Sequence, residues 1–129
     1  METSIIMVNS NDIRKRTFLF ALEVLKRCKK IQEEEREYII TRQLSRSATS
    51  VGANVREARN AESKADFIHK LSIAQKECDE SIYWIELLGA FIETRNEELK
   101  EIGKEASELL LILRTIIVKT KQNVNWTKR

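Results

Sequence analysis

The chain has no proline, only three glycines in 129 residues, one histidine and few aromatics. Without proline and with so little glycine, tight turns and β-bulges lack their usual residues, whereas helices meet almost no breakers. The lone histidine limits metal chemistry. Asp66 and His69 sit at i, i+3, the spacing found in di-iron bundles, but such sites need two of these motifs and two further glutamates. His69 therefore reads as a surface or helix-edge residue, and no metal or other cofactor is expected. Cys28 and Cys78 stand far apart in apolar patterns, with no CxxC pair and no matched histidine base. They read as buried free thiols in a reducing compartment, a bridge between two helices being the alternative. Gly52, Gly89 and Gly103 are isolated within helical patterns and form no phosphate-cradling loop. No apolar run approaches the ~20 residues that span a bilayer. The piece Ile5-Ile6-Met7-Val8 is too short, and lacks the positive start, for a signal peptide. A soluble, cytoplasmic, non-catalytic protein is expected.

What the chain does contain is helical periodicity and charge. Hydrophobic residues make up 42% and charged residues 33% of it, enough for one domain with a proper core. Net charge is +3 but unevenly spread. Residues 11–60 carry 12 Lys/Arg against 7 Asp/Glu, and residues 61–129 carry 11 against 12.

Four amphipathic segments follow, expected as helices over about 12–31, 37–60, 64–93 and 97–121. The first, with Ser10 or Asn11 as N-cap, spreads apolar residues over an arc of about 200° at 100° per residue, where one core needs little more than about 100°. Either helix 1 is deeply buried among neighbours, or its flank of Phe18, Leu22 and Leu25 meets another subunit. Its opposite arc carries Lys15, Arg16, Lys26, Arg27 and Lys30, with Leu19 and Glu23 among them. Glu33-Glu34-Glu35-Arg36-Glu37 is the first connection or the acidic start of helix 2. Helix 2 turns Ile40, Leu44, Ser47, Ala48, Val51, Val55 and Ala58 inward, and Arg42, Arg46 and Arg56 outward. Ser63-Lys64-Ala65-Asp66 resembles a capping box that opens helix 3. A second capping signature, Thr94-Arg95-Asn96-Glu97, opens helix 4. Short polar turns between long amphipathic helices imply an all-α, up-down-up-down antiparallel four-helix bundle.

The stretch from Leu44 to Leu88 is the most specific. Its small residues let helices approach closely, and Asn54 shares a side with Val51 and Ala58. Ser47, Ser50, Asn54, Glu57, Glu77 and Glu80 are read as a structural seam, since buried polar groups need partners. Paired carboxylates could also hold a metal or move protons, but no third ligand type joins them. Arg42, Arg46 and Arg56, with Lys15, Lys26, Arg27 and Lys30, could track phosphates without reading bases. They could equally be an ordinary solvated face.

Ser45, Ser50, Asn54-Val55-Arg56-Glu57-Ala58, then Phe67, Leu71-Ser72-Ile73-Ala74, Glu77, Glu80 and Trp84-Ile85-Glu86-Leu87-Leu88, resemble the family of 23S rRNA intervening-sequence proteins. That family includes the accessory variability proteins of diversity-generating retroelements. The resemblance spans nearly the whole chain. It departs at Ala58, where members often have glycine, and at Gln75-Lys76, where many have Gly-Ser. It implies an antiparallel bundle assembled as a homopentameric, barrel-like ring with a basic surface. It also implies binding of RNA or DNA, and for retroelement members a partner reverse transcriptase. The alternative is a protein-interaction scaffold presenting Tyr83, Trp84 or Trp126.

Overall fold

The computed structural model describes residues 10–126, with side chains from residue 13 onward. Four helices pack as a bundle: α1 (Ser10–Glu35), α2 (Ile39–Ala58), α3 (Lys64–Phe91) and α4 (Asn96–Gln122). A single 3-10 turn, Glu93–Arg95, precedes α4, and no strand occurs among the described residues. The N-cap expected at Ser10 or Asn11, and the apolar piece Ile5–Val8, lie outside the described side chains.

The core follows from spacing at three and four residues. Val24, Ala48, Val51, Ala74, Cys78, Leu88, Leu109 and Leu113 are wholly removed from solvent or nearly so. Small residues on α2 set the closest approaches. A Cβ at Gly52 would lie 3.3 Å from Thr17 Oγ1 and 3.4 Å from the Thr17 carbonyl oxygen, so α1 and α2 touch almost backbone to backbone there. α2 packs mainly on α3, and α3 on α4; α1 leans on α2, touches α4 more sparingly and scarcely meets α3.

The helix boundaries differ from the expected ones chiefly at the first turn. Glu33, Glu34 and Glu35 complete α1 instead of opening α2. Arg36 then takes a positive φ of 55°, and its N–H donates to the Gln32 carbonyl at 3.0 Å, which closes the helix. Glu37 is the real start signal of α2. Its carboxylate accepts from the N–H groups of Ile39 (3.0 Å), Ile40 (2.8 Å) and Thr41 (2.9 Å), satisfying three donors that the first turn leaves orphaned.

At α3, Ser63 Oγ accepts from the Asp66 N–H at 3.0 Å, as a capping serine should. Asp66 returns the favour one residue earlier than in the usual box, accepting from Glu62 N–H at 3.3 Å. The second capping signature does not operate as one. No side chain caps α4, and Asn96 instead donates its amide back to the Gly89 carbonyl at 3.1 Å.

Candidate nucleic-acid interface

Polar groups between α2 and α3 form a ladder. The Ser47 and Ser81 hydroxyls, both buried, lie 2.8 Å apart, and Ser81 Oγ also reaches the Glu77 carbonyl at 2.9 Å. Outside this pair Arg46 crosses from α2 to Glu77 (3.1 Å) and Glu80. The Trp84 indole N–H donates to the same Glu80 carboxylate at 2.9 Å. That indole bond, with the Arg46 guanidinium beside it, holds the Glu80 carboxyl below its ordinary range. Further along, Glu57 accepts from Lys70 at 2.9 Å. Asn54 is not part of this crossing. It is half-buried and donates within its own helix, to the Ser50 carbonyl at 2.9 Å and weakly to Ser50 Oγ at 3.4 Å.

The candidate phosphate contacts divide into two kinds. Arg46 and Arg27 are engaged: Arg27 bridges Glu23 (2.9 Å) and Glu98 (2.7 Å), which ties α1 to α4. Lys15, Lys26, Lys30 and Arg56 are exposed or nearly so and form no ion pair among the described residues. Arg42 is also exposed, its guanidinium 5.4 Å from the Tyr38 ring centroid. A cation already held by carboxylates must lose them before it can hold a phosphate. The open cations carry no such cost.

Two ion-pair clusters escaped the sequence reading. Arg16 forks onto Glu105 (2.6 Å) and Glu108 (3.1 Å), a second α1–α4 clasp. Arg95, its side chain only 12% exposed, gathers Glu34, Glu35 (3.2 Å) and Glu98 (3.2 Å). The guanidinium of Arg95 draws the Glu34 carboxyl below its ordinary range. The signal in the sequence was a lone basic residue in an acidic turn; Glu98 stands three positions away, but Glu34 and Glu35 lie some 60 positions away.

The flank of helix 1 is open. Phe18 is 59% exposed, Leu22 38% and Leu25 43%, with Leu19 beside them at 50%. Of the two readings left open for this flank, deep burial among its own neighbours is ruled out. A second exposed stripe runs along α3 through Tyr83, Leu87 and Phe91. Trp126, beyond α4, is instead tucked against Phe67, with ring centroids 5.9 Å apart. Cys28 and Cys78 are free and buried. Burial pushes the Cys78 thiol up to about 12, and its Sγ lies 3.2 Å from the Ala106 carbonyl oxygen, a proton-donor role far from that of a nucleophile.

The family model for 23S rRNA-intervening sequence proteins matches residues 9–115. The chain belongs to that family. Its matched span takes in α1, α2, α3 and most of α4, so every candidate residue named above except Trp126 falls inside it. A solved relative in the same group, described as a protein with unknown function from the S23 ribosomal protein family of Bacteroides thetaiotaomicron, is 38% identical with a TM-score of 0.78. The alignment covers 81% of this chain and 97% of that one. No curated protein matches. No helix among the described residues is long and apolar enough to cross a membrane.

Proposed function

We propose that this family member is a non-catalytic nucleic-acid-binding protein of the cytoplasm, which meets structured RNA or DNA through phosphates and acts as an oligomer. One observation carries the reading. Arg16, Arg27, Arg46 and Arg95 are spent on intramolecular carboxylates, while Lys15, Lys26, Lys30, Arg42 and Arg56 remain open. Such cations are the pool from which contacts to a phosphate backbone can be drawn without base recognition, and one binding surface need not use them all.

The unit of assembly is an up-down-up-down antiparallel bundle, and the assembly a ring, with five copies as the family resemblance implies. A closed ring of identical chains needs two different patches per copy, one meeting the other on its neighbour. The stripes on α1 and α3 suit this role, because both are exposed and the two helices scarcely touch each other within one copy. From Phe18 to Leu25 is about 10 Å of helix, and from Tyr83 to Phe91 about 12 Å, at 1.5 Å per residue. Linking several weakly cationic copies raises affinity without tight binding by any one of them.

The test is a gel shift of mixed-sequence RNA and DNA across a salt series. Affinity is expected to fall steeply with salt and to vary little with sequence. A shift unaffected by salt, or none at all, rejects the reading. A second reading, a scaffold for a partner protein such as a reverse transcriptase, draws on the exposed Tyr83 and Phe91. Partners recovered by pull-down that survive nuclease treatment, with no gel shift, would favour it.

A further inference from the structure

The bundle is electrically polarised along its length. At one end the last turns of α1 meet the start of α2, since the Gln32 amide donates to Thr41 Oγ1 at 3.0 Å, and Arg95 joins the turn before α4 to Glu34 and Glu35. Glu33, Glu34, Glu35, Glu37, Glu97 and Glu98 crowd this end. Of the arginines here, Arg27 and Arg95 are bound to carboxylates, whereas Arg36 and Arg42 are exposed and form no ion pair among the described residues.

The other end is the reverse. There α2 stops, α3 starts, and α4 finishes against α3, because Lys64 Nζ donates to the carbonyls of Asn123 (2.9 Å) and Lys121 (3.4 Å). The start of α1, the helix whose far end lies in the acidic cluster, comes here too. Lys15, Arg56, Lys119 and Lys121 stand at this end exposed and without an ion pair among the described residues, and Lys64 adds a fixed charge beside them. Among the residues whose side chains are described, the acids here are Glu57, held by Lys70, with Glu62 and Asp66. This sorting cuts across the seven candidate cations. Lys15 and Arg56 fall at the basic end. Lys26, Lys30 and Arg42 fall beside the acidic cluster.

We infer that nucleic acid is met end-on, by the phosphodiester contacts of Lys15, Arg56, Lys119 and Lys121, and that Arg42 and Arg46, the rest of the outward arginine face of α2, lie off the binding surface. The inference rests on the nucleic-acid reading and adds to it a location and an orientation. A polyanion approaching the acidic end is repelled at the Debye distances of physiological salt, about 8 Å. Near the opposite end it meets open cations with few acids. Copies related by rotation about an axis along the bundle all point the same way, so a ring has one basic rim and one acidic rim. The field then adds up on one side of the assembly instead of averaging out.

The experiment compares two triple variants of the full chain on duplex RNA and duplex DNA of arbitrary sequence, by fluorescence anisotropy across a salt series. R56E/K119E/K121E reverses the basic end. K26E/K30E/R42E reverses the same number of charges beside the acidic end. The first is expected to lose about tenfold or more in affinity and to flatten the salt dependence, whereas the second stays within about threefold of wild type. Because glutamate at the ends of α2 and α4 opposes the helix dipole, R56Q/K119Q/K121Q serves as a milder companion, with helicity and melting point checked for each protein. It should show the same ordering with a smaller loss. Equal losses in both triples, or a larger loss in the second, overturns the end-on assignment while leaving nucleic-acid binding in place. Wild type that binds neither duplex overturns both readings at once.

Discussion

Single residues decide how closely these helices can pack, and their substitutions should move stability in opposite directions. A Cβ at Gly103 would meet only Ile85 Cγ2, at an ordinary 3.5 Å. Gly103→Ala is therefore expected to stabilise by about 0.5–1 kcal/mol through helix propensity alone. Gly52 faces the Thr17 backbone, so Gly52→Leu should destabilise by about 1–3 kcal/mol through overpacking. Urea titrations of the two variants check both signs. The pair also shows what sequence could tell. Three isolated glycines in helical patterns were visible, but which of them sits against a neighbouring backbone depends on helix rotation. Ser47 was legible as a buried polar seam residue because it lies mid-stripe among Leu44, Ala48 and Val51. Asn54 was not. Its own helix supplies a partner at Ser50, and no helical wheel distinguishes a partner one turn away from one across a seam. Cys78 offers a chemical check at this scale: with its thiol pushed up to about 12, it should stay unreactive to thiol reagents at neutral pH until the protein is unfolded. Rapid labelling of native protein at that site would contradict the burial described.

Helix ends, more than helix middles, set where each element of this bundle starts and stops. The four amphipathic patterns placed every helix, since periodicity over 20 or more residues leaves little freedom. The first turn was ambiguous for a physical reason. Three glutamates oppose the dipole at the C-terminus of α1 and would suit an N-terminus better. They are tolerated where they are because Arg95 arrives from a distant turn. Arg95→Ala is expected to cost about 1–2 kcal/mol, in line with losing a few charge-assisted bonds at a mostly covered site. Glu37→Ala should cost about 1–2 kcal/mol as well, since three N–H donors lose their acceptor. Thermal melts read both.

The carboxyls of Glu34 and Glu80 are held below their ordinary value of 4.5 in the folded protein. Their contribution is complete above that value and is lost as pH falls through the lowered ones. The melting point should therefore drop as pH is taken well below 4.5. Trp84→Phe removes the indole donor to Glu80, so it should flatten that drop. An unchanged acid profile in the variant would show that the indole bond does not set it.

For the whole molecule, the sequence disclosed an excess of positive charge in residues 11–60 but not where the charge goes. Polarity emerges only when four helix ends are brought together, because the cations of α2 and α4 that share one end are more than 60 residues apart in the chain. The greasy flank of α1 was legible in advance as surplus width, and it stays on the surface, as Phe18 at 59% exposure makes plain. An isolated copy would leave that flank in water, whereas covering it with the α3 stripe of a neighbour removes two exposed apolar surfaces together. Leu22→Asp should disperse the assembly while leaving the helical content of each copy intact, which sedimentation and circular dichroism would read side by side.

Self-association is the claim on which multivalent phosphate binding depends, and light scattering of the unmodified protein at micromolar concentration tests it most directly. The account predicts a particle near five times the 15.1 kDa chain mass. A lone 15.1 kDa particle across that range would contradict it.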